Sequence, residues 1–228
     1  MLTSSNRLLR VLTPDQRALL EPLEPVELRA GDVIYRMDEP VMHFILPEKM
    51  LVSLVFLLSD GQRVEMMEGG RALLGGHTLF QVPEGLHELL VRIGGIGWRV
   101  PRERVLAAME RDVPLFLRLR ALVHLMDRTM ATSVACRSVH SIEQRFARLM
   151  LHVRDTIEDT RIPLSVPTIA EMLPANRSHL QRLMKTFDAR GIISANRQHV
   201  DLHDLQALAA MSCGCYHELA TERDRVFS

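Results

Sequence analysis

The pattern of apolar and polar positions changes once along the chain, near residue 101. Before that point short apolar runs alternate with turn-forming residues such as Ser59-Asp60-Gly61 and Gly75-Gly76. The runs are DVIY at 32–35, HFIL at 43–46, MLVSLVFLL at 50–58 and HELLVRI at 87–93. Many short, closely spaced strands are typical of a small antiparallel barrel or sandwich. We therefore expect an N-terminal β-roll or barrel domain over residues 1–113, with a helix from Pro14 to Leu23 near its start.

After Pro101 only two of the 12 glycines remain, and the apolar residues recur at helical spacing. Pro114 suits the first turn of a long helix, and the apolar residues that follow it alternate steps of four and three, which is the spacing of a seam between two helices. This pattern predicts a dimerisation helix over residues 114–139. The residues expected in its dimer seam are Leu115, Leu119, Leu122, Met126 and Met130. The alternative is an amphipathic helix that packs only on its own barrel.

A third region, residues 140–228, has the features of a helix-turn-helix unit. An amphipathic helix, IEQRFARLMLHVRDTI, opens it, and a second helix begins after Ser165, a good N-cap residue. Pro174 and Ala175 end that helix, because the residue before a proline disfavours helical dihedrals. Asn176 is then a natural N-cap for a third helix, whose apolar stripe is Leu180, Leu183, Met184 and Phe187. Downstream, Ile192-Ile193 and HVDLHDL predict the strands of a wing.

The exposed side of the third helix carries mostly hydrogen-bond donors and positive charge. Such a helix fits the major groove of DNA, where arginine can bond guanine and glutamine can bond adenine. The residues we expect to read bases are Arg177, Ser178, Gln181 and Arg182. Those expected to hold phosphates are Ser165, Lys185, Asn196, Arg197 and His199. The alternative is a solvated face on an ordinary pair of helices.

Composition restricts the location and the chemistry. The formal net charge is zero, so any nucleic-acid binding must come from a local patch. No apolar run reaches the roughly 20 residues of a membrane span, and three cysteines are too few for a secreted disulfide framework. These observations predict a cytoplasmic protein with no membrane partner. No phosphate-binding loop, metalloprotease motif or nucleophile elbow is present, so we do not expect an enzyme.

The order of barrel, long helix and a winged helix containing PANRSHLQRLMKTFDARGII resembles the Crp/Fnr family of bacterial transcription regulators over nearly the whole chain. In that family the turn usually reads Gly-x-Ser-Arg-Glu-Thr-Val-x-Arg. The resemblance assigns base readout to Arg177 and Arg182, but Ser178 replaces the usual glutamate, so the family's common half-site is not expected here. It implies an α+β protein with a cyclic-nucleotide-binding-like β-roll. It also implies a homodimer that binds a two-fold-symmetric DNA operator and acts with RNA polymerase.

The resemblance does not extend to the family's known effector sites. Family members that bind cyclic nucleotides carry Phe-Gly-Glu and then Arg-Ser or Arg-Thr, whereas this chain has no Phe-Gly-Glu and no arginine between Arg71 and Arg92. We therefore expect no cyclic nucleotide, and no iron–sulfur cluster, because every cysteine lies beyond residue 135. No cofactor is expected. Histidines that could sense pH or haem are His77, His87, His124 and His140, with nothing in their spacing to select one.

Two other functions remain open on the sequence. One is a ligand-sensing or protein-interaction module in which the winged helix contacts a protein instead of DNA. The other is a metal-dependent enzyme built around Cys213, Cys215 and His217, whose side chains suit zinc or copper. Three ligands so close in sequence need a fourth donor from elsewhere, so we expect the two cysteines to be small apolar residues at the end of the last helix.

Overall fold

The N-terminal half is an antiparallel β-roll, as the sequence predicts. The computed structural model describes residues 4–80 and 83–227. In the first half the elements are α1 (Arg7–Val11), α2 (Pro14–Leu20), β1 (Glu24–Leu28), β2 (Val33–Tyr35), β3 (His43–Glu48), β4 (Leu51–Leu57), β5 (Arg63–Gly69), a short 3-10 helix (Gly76–Thr78), β6 (Glu88–Ile93), β7 (Gly95–Pro101) and α3 (Arg102–Arg111). The strands form two antiparallel sheets, ordered β2-β6-β4-β5 and β1-β7-β3.

Strands β1, β5 and β7 were not among the predicted runs. Strand β1 is only partly buried, so its sequence EPVEL lacks a continuous apolar signal. Strand β7 begins GIG, which reads as a turn in sequence. Its Gly97 is needed because a Cβ there would lie 2.8 Å from Cγ2 of Ile45 on the neighbouring strand. Close packing between strands, rather than a turn, therefore explains this glycine.

Helix α4 (Val113–Val139) is the long helix predicted from the sequence, and it has 27 residues. Its N-cap is Asp112, whose side chain accepts a hydrogen bond of 2.6 Å from the backbone N–H of Leu115. The helix ends at Val139, and Ser141 caps the next helix, so the predicted break lies where the sequence placed it.

The predicted dimer seam is wrong. Leu115, Leu119 and Leu122 are at most 3% exposed and pack in the core of their own β-roll. Met126 lines a cavity of the roll, and Met130 packs on the roll's second core cluster. The alternative, a helix packed on its own barrel, is therefore right for this face. A four-and-three spacing identifies a buried stripe on a helix, but it does not identify the partner that buries it.

The C-terminal half is a winged helix, as predicted. Its elements are α5 (Ile142–Ile157), β8 (Arg161–Ile162), α6 (Val166–Met172), α7 (Arg177–Ala189), β9 (Ile193–Ala195), β10 (Val200–Leu202), α8 (Leu205–Met211) and α9 (Cys215–Val226). The three strands pair antiparallel in the order β8-β10-β9. The apolar faces of α5 and α7 meet in one core, where the rings of Phe146 and Phe187 stack edge to face with centroids 5.2 Å apart.

Helix α9 returns to the N-terminal half. Phe227, just beyond it, packs against the roll's core, and Asp224 lies 3.6 Å from Arg7. Cys213 lies in the turn between α8 and α9 and Cys215 is the first residue of α9, so neither is at the end of the last helix as the sequence had indicated. In the described part of the chain, no helix has both the length and the apolar character that a membrane crossing requires.

Two arginines tie the roll to the winged helix. Arg71 donates hydrogen bonds to the Asp155 carbonyl and to Glu158 at the end of α5. Arg92 on β6 lies 3.0 Å from Glu65 within the roll and 3.0 Å from Glu171 on α6. These arginines delimit the segment in which a cyclic phosphate would find its partner in family members. Both side chains are instead committed to contacts between the two halves.

Candidate functional site

Helix α7 is the third predicted helix, and it begins after the predicted turn. The Asn176 side-chain oxygen accepts hydrogen bonds from the backbone N–H groups of Ser178 at 2.9 Å and His179 at 3.4 Å. Beyond the other end of α7, Gly191 adopts a φ of +69°, the left-handed conformation that glycine favours after a helix. The predicted apolar stripe is buried throughout; its members are Leu180, Leu183, Met184 and Phe187. One face of α7 is thus fixed to the core, and the other faces solvent.

The four residues predicted to read bases lie together on that exposed face. Arg177, Ser178, Gln181 and Arg182 are all exposed, and so is Lys185 one turn further on. Within the described residues, none of these five side chains has a recorded ion pair or hydrogen bond. The donors are therefore free to bond an external partner without first breaking a contact inside the protein.

The predicted phosphate-binding residues divide into two groups. Arg197 is exposed at the wing tip, and its side chain forms no hydrogen bond or ion pair with the described residues. Asn196 and His199 are instead occupied within the wing. The Asn196 side-chain oxygen accepts from two backbone N–H groups, those of Gln198 at 2.8 Å and His199 at 2.9 Å. The His199 ring lies 3.1 Å from Asp201, so both side chains order the hairpin.

Ser165 also has a local partner. As the N-cap of α6, its hydroxyl accepts from the Thr168 backbone N–H at 3.3 Å and lies 2.8 Å from the Thr168 hydroxyl. One cation of this surface was missed by the sequence analysis. Arg161 on β8 lies 2.7 Å from the His199 ring, because β8 pairs with β10. No local motif marks a two-residue strand, so only the sheet brings this charge to the wing.

Comparisons with known proteins agree with this geometry. A sequence profile for the Crp-like helix-turn-helix domain matches residues 144–211. The structure of FixK2 from Bradyrhizobium japonicum superimposes with a TM-score of 0.70 at 19% identity, covering 84% of this chain and 98% of that one. A regulator from Eubacterium rectale assigned to the Crp/Fnr family gives a TM-score of 0.66 at 15% identity, covering 89% and 96%.

Residues 144–211 belong to the Crp-like helix-turn-helix domain family, and the chain shares the fold of Crp/Fnr regulators. A third solved structure, the c-di-GMP-responsive regulator CLP from Xanthomonas campestris, gives a TM-score of 0.63 at 15% identity and covers 84% of this chain and all of that one. These identities are low, so the structures establish a shared fold, and the matched domain identifies the helix-turn-helix. No protein of curated function matches the sequence. The predictions of a Crp/Fnr fold and of a DNA-binding transcription regulator are confirmed.

A small, largely apolar cavity of about 110 Å³ lies between the β-roll, α4 and the C-terminal half, whose His152, Thr156 and Arg223 also line it. Ligand pockets for drug-sized molecules usually measure about 300–1,000 Å³. Residues lining the cavity include Leu54, Met67, His77, Leu89, Leu122 and Met126. Met66 also packs on the roll's core.

Two of the candidate histidines form a buried pair next to this cavity. The rings of His77 and His87 lie with centroids 4.4 Å apart, and both residues are less than 10% exposed. Burial lowers the pKa of His77 to about 4, and the charges of His87 and Arg102 act in the same direction. Burial likewise lowers the pKa of His87 to about 4. Both rings are therefore neutral at pH 7.

This pair should make the protein less stable in acid. In the unfolded chain a histidine titrates near pH 6.5, so as the pH falls the unfolded state binds protons before the folded state does. We expect the free energy of unfolding to drop by about 2 kcal/mol for each histidine between about pH 7 and about pH 5. Replacing His87 with asparagine should remove about half of this fall in the free energy of unfolding, as measured by urea denaturation at both pH values. His43→Asn, exposed at the start of β3, is the control. An unchanged pH dependence in His87→Asn would contradict the assignment.

The structure brings together only part of the third predicted constellation. Cys213 and Cys215 lie close to each other, whereas His217 is exposed and its ring packs against Tyr216 at 5.1 Å. Two residues from the end of α4, Cys136 and His140, complete the group instead. Their spacing of four residues on a helix, Cys-x-x-x-His, was a signal available in the sequence.

Proposed function

We propose that this regulator binds DNA through α7, with Arg177, Ser178, Gln181 and Arg182 reading base edges in the major groove. The observation that carries the proposal is the exposed stripe of unpaired donors on a helix whose opposite face is fully buried. A helix of 13 residues is roughly 20 Å long, enough to follow the groove over several base pairs. Ser178 offers a hydroxyl where the family has a carboxylate, so we expect a different half-site preference at that base pair.

Phosphate contacts would come from the flanks of this helix. Lys185 lies near its end, and Arg197 at the wing tip has no recorded partner within the described residues. Arg161 adds positive charge at the wing base. Backbone N–H groups at the start of α6, the helix that Ser165 caps, would also donate hydrogen bonds to phosphate oxygens. We assign Asn196 and His199 the role of holding the wing in shape, with at most a secondary contact to the backbone of DNA.

We further propose that the active form is a homodimer, formed through the outer face of α4. Residues on that face recur at alternating intervals of four and three along the helix, and none of them belongs to the buried stripe. Its members are Leu117, Ala121, His124, Arg128, Ala131, Ala135 and Ser138. All of them are exposed except Ala121, which is half-buried. Small side chains in its second half allow two helices to approach closely, and Leu117, 45% exposed, is apolar surface left uncovered in the protomer.

Charge on this outer face should weaken the dimer. Leu117→Glu would place a carboxylate from each protomer between the two helices, where loss of hydration and repulsion between like charges oppose association. We expect the dimer dissociation constant to rise at least about tenfold, measured by sedimentation equilibrium. Leu58→Glu is the matched control, because Leu58 is 42% exposed and lies in the β4–β5 turn instead of on α4. Equal dissociation constants for the two variants would place the dimer contact elsewhere.

Selection of genomic fragments by the purified protein tests the proposed function directly. We expect the bound fragments to share a motif with two inverted half-sites whose centres are one helical turn, about 34 Å, apart. Enrichment of unrelated fragments, or binding that does not weaken as salt is raised, would support the protein-interaction alternative instead.

For the bound regulator we propose RNA polymerase as the protein partner and no catalytic activity of its own. We also propose the division into residues 1–113, 114–139 and 140–228.

A further inference from the structure

Four side chains with soft or nitrogen donor atoms meet where α4 ends and α9 begins. They are Cys136, His140, Cys213 and Cys215, and their donor atoms all lie within 4.8 Å of one another. The sulfurs of Cys136 and Cys213 are 3.5 Å apart, and the sulfur of Cys215 lies 3.7 Å from Nδ1 of His140. None of the cysteines is in a disulfide.

These distances match the edges of a tetrahedron around a single ion. With Zn–S bonds of about 2.3 Å and a Zn–N bond of about 2.0 Å, neighbouring donors of a tetrahedral site lie roughly 3.5–3.8 Å apart. The observed group needs only a small contraction to reach that geometry. A group this compact has room for one ion and not for an iron–sulfur cluster, which holds several metal atoms between its cysteines.

The local structure explains why the four donors converge. Cys136 and His140 are four residues apart at the last turn of α4, so they project from the same side. Cys213 and Cys215 flank Gly214 in the turn between α8 and α9, and Gly214 makes no side-chain cap for α9. Cys215 is the first residue of α9, so this turn brings both thiols to the end of α4.

The surroundings carry positive charge that complements bound thiolates. Arg148 on α5 is 5% exposed, and its charge interacts with the thiols of Cys136 and Cys215. Its nearest carboxylate, Glu68, is 3.9 Å away, and the Arg148 Nε has no hydrogen-bond partner among the described residues. Three thiolates, a neutral imidazole and one divalent ion would together carry a single negative charge. A buried guanidinium beside that group offsets the cost of burying it.

We propose that Cys136, His140, Cys213 and Cys215 bind one Zn²⁺ ion in a closed tetrahedral site. Donors of this kind, three cysteines and one histidine with no position left for a substrate, are typical of structural zinc. The site joins α4, which is packed on the β-roll, to the C-terminal helix pair that follows the wing. Zinc would therefore fix the orientation of the winged helix relative to the roll. His217 plays no part in this site.

Metal analysis of the full-length protein, purified under reducing conditions, tests this proposal without reference to DNA. We expect about one zinc per chain by mass spectrometry. After dialysis against a chelator that leaves the wild type loaded, Cys215→Ser and His140→Gln should retain less than about a tenth of their zinc. His217→Ala is the matched control and should stay fully loaded, since its side chain is exposed and outside the group.

A second measurement avoids variants that fail to fold. Wild-type apoprotein titrated with Co²⁺ should show the visible absorption of tetrahedral cobalt and the near-ultraviolet bands of thiolate ligands, saturating at about one ion per chain. Added Zn²⁺ should displace the cobalt and raise the melting temperature of the apoprotein. No tetrahedral cobalt spectrum, or a zinc loss in His217→Ala equal to that in Cys215→Ser and His140→Gln, would each overturn the proposal.

Discussion

Replacing both Arg177 and Arg182 with alanine is expected to weaken binding to the selected operator by about 2–6 kcal/mol, or roughly thirtyfold to ten-thousandfold in affinity. Each exposed arginine can make a bidentate contact to guanine, and such a contact discriminates against the wrong base by about 1–3 kcal/mol. Binding to unrelated DNA should change much less, since it depends on phosphate contacts. Fluorescence anisotropy on operator and scrambled duplexes at one fixed salt concentration measures both affinities.

The matched control for this experiment is Arg197→Ala in the wing. Arg197 carries the same charge on the same surface but lies at the hairpin tip, outside α7. Its loss should reduce affinity for operator and scrambled DNA alike and lower the slope of log affinity against log salt by about one. If the double variant lost operator and scrambled binding equally, α7 would be a phosphate-binding helix and base readout would have to lie elsewhere.

Phe187→Ala should lower the free energy of unfolding by about 3–5 kcal/mol, the cost of emptying a fully buried aromatic site. The Phe187 side chain is 0% exposed and stacks on Phe146, so its removal leaves a cavity between α5 and α7. Because that contact fixes the buried face of α7, the same change should also loosen the recognition surface. Urea denaturation followed by circular dichroism measures the stability.

Phe56→Ala on β4 provides the comparison, because Phe56 is 40% exposed. We expect it to cost well under half as much as Phe187→Ala, since part of its surface is already in water in the folded protein. Similar losses at the two positions would mean that α7 is not anchored through Phe187. In that case the folded fraction of Phe187→Ala should bind the operator as tightly as the wild type does.

Local sequence signals located the helix-turn-helix well. Helix α5 spans Ile142–Ile157, as its pattern had indicated, because Ser141 provides a cap and the apolar residues keep one period throughout. Asn176 and Gly191 similarly delimit α7. Stop and start signals act on their own few residues of backbone, so they can be interpreted without knowing the rest of the fold. The exposed and buried faces of α7 followed from its periodicity alone.

Contacts between distant segments could not be inferred in the same way. The spacing of Leu115, Leu119 and Leu122 showed correctly that one side of α4 is buried. It could not show whether a β-roll or a second α4 covers that side, since both are equally apolar partners. The structure decides for the roll, and it leaves the face around Leu117 as the candidate for the dimer.

The sequence by itself determined the change from a strand-rich to a helical half, the winged helix and the exposed donors of α7, because those features depend on residues near one another in the chain. Only the tertiary structure decided that His140 and Cys136 meet Cys213 and Cys215, more than 70 residues away. It also decided that Arg71 and Arg92 brace the two halves of the molecule. Such groupings arise from how α4, α9 and the roll pack together, and packing geometry is encoded in the whole set of contacts rather than in any one segment.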